Sequence, residues 1–290
     1  MLGSVDGILL IGHGSRDEEG VAEFEEMVGR VSSQLPPSWS VPIYSAFLEF
    51  ASPRIADTMA RLATQGIRKV VAIPVMLLDA GHKMHDIPHA LSEAAKTHPG
   101  VDILYGDHLG FHPDLMNLLM RRTAPFAPDP RTGILLVGRG SSDPVANAHF
   151  YQMSRMFWEA SQYSWVENAF IGITQPDLPE GLRRMHGLGV QRIVVVPYFL
   201  FTGALFKKIE QISYSFAEQH KNLTVHVTHY FGLEDAVVEL VVRRIREAMQ
   251  GEHTAYDVEW MRSRAEHRYP FSHHHGAHSH SHTGSPQEKN

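Results

Sequence analysis

Short apolar runs alternate along most of this chain with longer segments whose apolar residues recur every three or four positions. In the first half the runs fall at 7–12, 41–48, 69–78 and 101–105. Between the first two, Val21, Phe24, Val28 and Val31 stand at helical steps. Continuous apolar strands alternating with amphipathic helices predict parallel sheets covered on both faces, an α/β fold.

The pattern occurs twice. Gly7–Asp17 reads GILLIGHGSRD and Gly133–Asp143 reads GILLVGRGSSD, identical at eight of eleven positions with an offset of 126. SAFLEFASPRIADTM (from Ser45) matches NAFIGITQPDLPEGL (from Asn168), and IRKVVAIPVMLL (from Ile67) matches VQRIVVVPYFLF (from Val190), both offset by 123. VDILYGDHLG (from Val101) corresponds to LTVHVTHYFG (from Leu223). The repeat length is that of a whole domain, not of a short-period solenoid. Two tandem open sheets of four or five strands are expected, 1–125 and 132–250, facing each other across a cleft. Three prolines in APFAPDPR (Ala124–Arg131) mark the join.

From Gly251 on the periodicity stops. Residues 251–271 read as a partly ordered extension and 272–290 as disordered, because Ser, Gly, His and Pro bury too little to offset ordering entropy. Six histidines lie there within ten residues: His273, His274, His275, His278, His280 and His282. Such a tract holds borderline divalent ions through imidazole nitrogen. An expression tag is the plain alternative, but tags are usually unbroken, and this run is interrupted by Gly, Ala and Ser.

The 290 residues are 43% hydrophobic and 20% charged, enough for a sizeable core. A net charge of −6 argues against a nucleic-acid groove as the main function. The longest apolar runs, Val70–Leu78 and Ile193–Phe201, are too short to cross a bilayer and each holds a proline. The N-terminus lacks a basic segment before its apolar stretch, so a cytoplasmic location is expected. The absence of cysteine removes iron–sulfur clusters, thiolate metal sites and a cysteine nucleophile.

In open parallel sheets ligands bind beyond the carboxyl ends of the strands, where strand order reverses. The first strand is followed there by Gly12-His13-Gly14-Ser15-Arg16, the second by Glu49, and the third by a loop carrying His82. Two imidazoles and a carboxylate converging from three loops suit a divalent metal, or a base with an orienting acid. In the second copy these positions become Arg139, Gly172 and Leu205, while the scaffold glycines and strand residues remain. A purely structural role gives no reason for all three to change together. The first half is therefore expected to carry the chemistry and the second to supply the opposite wall.

At these residues the sequence resembles the class II chelatases acting on sirohydrochlorin, that is, the cobaltochelatases of the CbiX type and the related siroheme ferrochelatases. The resemblance rests on LLIGHGSRD, AFLEFASP, and AGHKMHDIP followed by GDHLGFHPDL, and spans roughly residues 5–250. It implies insertion of a divalent metal, Co²⁺ first and Fe²⁺ or Ni²⁺ as alternatives, into an octacarboxylate tetrapyrrole. It implies His13, His82 and Glu49 as catalytic and metal-binding residues. A helix beginning near Asp17 would help keep His13 neutral. No tightly bound cofactor is implied, since the metal is substrate. Substrate carboxylates call for cations, with Arg16, Arg54 and Lys83 as candidates in the first half and Arg139, Lys207 and Lys208 in the second. His85, His89, His108 and His112 also lie near the reactive loops and read mostly as surface or core residues, with metal relay as the alternative. A monomer is expected, because the duplication mimics a dimer.

Two other readings compete. Histidine phosphatases also place a Gly-flanked histidine after the first strand, but need an arginine directly before it, where this chain has Ile11-Gly12. A metal store or metallochaperone would use the His-rich tail, but leaves the asymmetry at His13, Glu49 and His82 unexplained.

Overall fold

The computed structural model describes residues 5–39, 41–78 and 81–251, without the side chains of 81–85. The first half runs β1 (Gly7–Gly12), α1 (Glu18–Gln34), β2 (Ile43–Phe47), α2 (Ile55–Thr64), β3 (Lys69–Pro74), α3 (Gly81–Thr97), β4 (Asp102–Tyr105) and α4 (Pro113–Thr123). The second repeats it as β5 (Thr132–Gly138), α5 (Pro144–Ala160), β6 (Trp165–Phe170), α6 (Leu178–Gly187), β7 (Arg192–Pro197), α7 (Ala204–Gln219), β8 (Thr224–Val227) and α8 (Asp235–Gln250). Each half forms a four-stranded, wholly parallel sheet, ordered β2-β1-β3-β4 and β6-β5-β7-β8.

Alternate strand residues face opposite ways. Leu9, Ile11, Val70 and Ala72 pack outward against α2 and α3, while Leu135, Val137, Ile193 and Val195 do so against α6 and α7. The opposite faces of both sheets, with Ile8, Leu10, Ile134 and Leu136, share one core holding α1, α4, α5 and α8. On α1 the buried stripe is Phe24, Met27 and Val31, and Val21 and Val28 flank it, because the contact straddles the helical row predicted from spacing.

The last helix of each half is exchanged. α8 lies over β3 and β4 of the first sheet, and α4 over β7 of the second. Equivalent arginines fasten the exchange. Arg122 on α4 donates to the Tyr230 carbonyl at 3.2 Å, and Arg244 on α8 donates to the His108 carbonyl at 2.9 Å. Arg244 is buried, with Glu247 beside its guanidinium at 2.7 Å. The halves of the sequence are therefore not separate packing units: each sheet is covered by a helix from the other half. Among the described residues no helix is long and apolar enough to cross a membrane.

Candidate functional site

Strand order reverses between β1 and β3, and the loop after β1 opens at that point. Asp17 caps α1, its carboxylate accepting from the Glu19 N–H at 3.1 Å, so the helix begins five residues after His13. The β1 loop is laced to the β2 loop. Leu48 N–H donates to the Gly12 carbonyl and Glu49 N–H to the His13 carbonyl, both at 2.9 Å. Gly14, at φ +90°, makes this approach possible, since a Cβ there would lie 1.7 Å from the Glu49 carbonyl oxygen.

These contacts bring two of the three expected reactive groups together. Glu49 Oε1 lies 3.3 Å from His13 Nε2, and His13 Nδ1 lies 3.2 Å from the Gly14 carbonyl oxygen. Nε2 is therefore the nitrogen turned toward the carboxylate. Metal–nitrogen and metal–oxygen bonds of about 2.1 Å place adjacent ligands of one ion roughly 3.0–3.4 Å apart. The His13–Glu49 spacing lies within that span, so both groups fit one ion. His82 is the second residue of α3, which follows β3 on the same sheet edge; its side chain and that of Lys83 lie outside the described residues. Among the described residues no set of three or more His, Cys, Asp or Glu side chains comes together as a metal site.

His13 lines a cleft of about 470 Å³ walled by both halves. Gly172 N–H donates to the Arg139 carbonyl at 2.9 Å, repeating the Glu49–His13 backbone bond without the reactive side chains. Leu205, second in α7 as His82 is in α3, lines the cleft. Arg16 and Arg139 also line it, one on each wall. Of the other predicted cations, Arg54 turns its guanidinium to the Leu48 carbonyl, Lys207 holds Asp17 and Glu19 at 2.9 and 3.0 Å, and Lys208 is exposed outside the cleft. Hydrogen bonding to Lys207 lowers the Asp17 carboxyl below its ordinary range. Lys207 thus ties the two walls together rather than facing substrate. The tail histidines from His273 to His282 lie outside the described residues.

Sequence reasoning missed the aromatic surfaces. Phe50, at φ 66°, stacks on His13 at 5.9 Å between centroids and carries the Arg16 guanidinium 5.0 Å from its own centroid. A non-glycine residue held at positive φ beside reactive groups is strain kept at a site. Phe199 and Phe201 face the cleft from the second half. The signal was present: the apolar runs ending at Leu78 and Phe201 outlast strands β3 and β7, which end at Pro74 and Pro197. The excess residues line the cleft.

The chain as a whole is similar to known proteins. A sirohydrochlorin cobaltochelatase of Priestia megaterium is 35% identical over 252 residues, 84% of this chain and 80% of that protein. A sirohydrochlorin ferrochelatase of the same organism is 28% identical over 257 residues, 88% of this chain and 94% of that protein. The crystal structure of the sirohydrochlorin chelatase SirB from Bacillus subtilis subspecies spizizenii, in complex with cobalt, superposes with a TM-score of 0.71 at 25% identity, covering 86% of this chain and 97% of that one. The CbiX family model matches twice, over residues 7–125 and 133–248, and with both its halves accounted for in this way the chain belongs to the CbiX family.

Proposed function

We infer that this chain is a sirohydrochlorin chelatase that inserts a divalent metal, Co²⁺ foremost, into the tetrapyrrole on the route to cobalamin. The observation that carries the reading is the His13–Glu49 pair, spaced for one ion at the edge of an aromatic cleft and missing from the second copy. Insertion exchanges M²⁺ for two pyrrole protons. His13 and Glu49 hold the incoming ion as it sheds water, and each can accept a departing proton. His82 is the proposed third member. Apolar rings take the face of the macrocycle, and Arg16 and Arg139 take peripheral carboxylates from opposite walls. The metal is substrate, and the reading requires no resident cofactor or iron–sulfur cluster. A cytoplasmic monomer fits it, since the duplicated halves already supply both walls. The tail histidines serve as a metal reservoir, whose removal after Ser272 would slow insertion only when metal is scarce.

The test is spectrophotometric insertion into sirohydrochlorin with Co²⁺, Fe²⁺ and Ni²⁺ in parallel. Turnover with Co²⁺ that His13→Ala and Glu49→Gln nearly abolish, with folding intact, is the expected result. Full turnover in either variant overturns the site. Turnover with Fe²⁺ alone favours the ferrochelatase reading, the activity named for several relatives.

A further inference from the structure

The two halves differ at a second place, away from His13 and Glu49. On α1, Glu23 accepts hydrogen bonds from the Tyr230 hydroxyl and from the Thr202 N–H. The repeat offsets of 126 and 122 put His149 and His108 where Glu23 and Tyr230 stand. The backbone supports this equivalence: α5 begins and ends 126 residues after α1, and β8 lies 122 residues after β4. Gly110 and Gly232, two residues beyond His108 and Tyr230, have nearly the same φ, 66° and 62°. The Arg244 and Arg122 bonds likewise hold the carbonyls of His108 and Tyr230. A carboxylate–phenol pair on one side of the molecule is thus replaced by two imidazoles on the other.

His108 and His149 line one void of about 10 Å³, together with Gln152, Met153, Phe111 and Leu78. Such a volume is about that of a single water. Leu78 also lines the large cleft, so one side chain borders both spaces. Two imidazoles, an amide and a thioether around a void of this size form a donor set for a borderline first-row divalent cation.

We propose that His108 and His149 form a second divalent-metal site, a waiting position beside the cleft from which ions pass to His13 and Glu49. The waiting role rests on the chelatase reading; metal binding at the pair does not. Neutral imidazole nitrogens bind the ion, with the Gln152 amide and the Met153 thioether as its other ligands, and no bond to carbon or proton transfer is involved.

The experiment uses the full chain and Co²⁺ itself. The double variant His108→Tyr/His149→Glu reproduces the pair that the other half folds around, so its thermal midpoint should stay near that of the parent. Equilibrium dialysis at saturating Co²⁺ should show one equivalent fewer bound per chain, since both proteins keep the same tail and cleft. Undiminished Co²⁺ binding overturns the site. If the double variant unfolds, His149→Gln and His108→Gln decide the point by the same measurement. In the insertion assay the half-saturating Co²⁺ concentration should rise several-fold with kcat unchanged. Loss of the bound equivalent without that rise overturns the waiting role and leaves a plain metal site. Absence of insertion in the parent overturns the chelatase reading, while dialysis still decides the site.

Discussion

Glu23 and Tyr230, 207 residues apart in the chain, meet in a hydrogen bond that joins the first helix to the second half. The phenol is pushed up to about 12, by burial first and then by its bond to the Glu23 carboxylate. Its proton therefore stays in place through neutral pH. Tyr230→Phe should lower stability by about 0.5–1.5 kcal/mol, the usual worth of one internal hydrogen bond. A folded value above the unfolded one, about 10, means this stability is complete below pH 10 and is lost as pH rises through the folded value. Thermal midpoints taken from pH 8 upward should fall more steeply in the parent than in Tyr230→Phe. Parallel curves would deny the bond its role.

Acid should act through His112. It caps α4, its Nδ1 accepting the Asp114 N–H at 3.2 Å. Burial holds this imidazole below its ordinary range, over the opposing pull of Asp114 and with added push from Arg243 and Arg244. Because the folded value is depressed, the neutral cap contributes fully above the unfolded value, about 6.5, and the contribution is lost as pH falls toward the folded one. His112→Asn keeps an acceptor at the cap but does not titrate. The midpoint should drop less between pH 7.5 and 5.5 in this variant than in the parent. An unchanged pH dependence would remove His112 as the cause.

Gly14 and Gly140 offer a matched test of what the loops do. Both sit at positive φ, 90° and 81°. A Cβ at Gly14 meets the Glu49 backbone carbonyl, whereas one at Gly140 meets the Thr174 side chain, 2.7 Å from Oγ1 and 2.9 Å from Cβ. Either alanine should cost about 1–3 kcal/mol of local strain. Gly14→Ala should also abolish insertion, by parting His13 from Glu49. Gly140→Ala should leave kcat largely intact. Equal losses of kcat in both would place chemistry on each wall.

Arg139 stands where the reactive histidine would be in the other copy. If it only grips substrate, Arg139→Ala should raise the KM for the tetrapyrrole more than it lowers kcat. Steady-state kinetics at fixed saturating metal distinguishes the two. A fall in kcat with KM unchanged would assign Arg139 to the insertion step.

Much of this was legible because strands and loops are local. Every first-half run became a strand, and Glu49 could be set against His13 because repeated glycines fixed the alignment of the copies. The exchange of α4 and α8 was not legible. Its apolar faces say that these helices are buried, not which sheet buries them, and Arg122 and Arg244 look like surface charges until their partners more than a hundred residues away are known. Lys207 misled for a related reason. A cation at a strand end has the same sequence signature whether it meets substrate or, as here, the Asp17 carboxylate of the opposite wall.

The exchanged helices also bear on substrate orientation. A twofold pair of identical copies would present the same reactive residues from both walls, and a flat macrocycle could settle in either of two equivalent poses. Here each copy completes the other's core, so the halves stay joined in fixed register while their loops diverge. Divergence has left His13, paired with Glu49, on one wall and Arg139, bonded to Gly172, on the other. The former symmetry axis now separates unlike surfaces, and a bound tetrapyrrole has one productive way to face them.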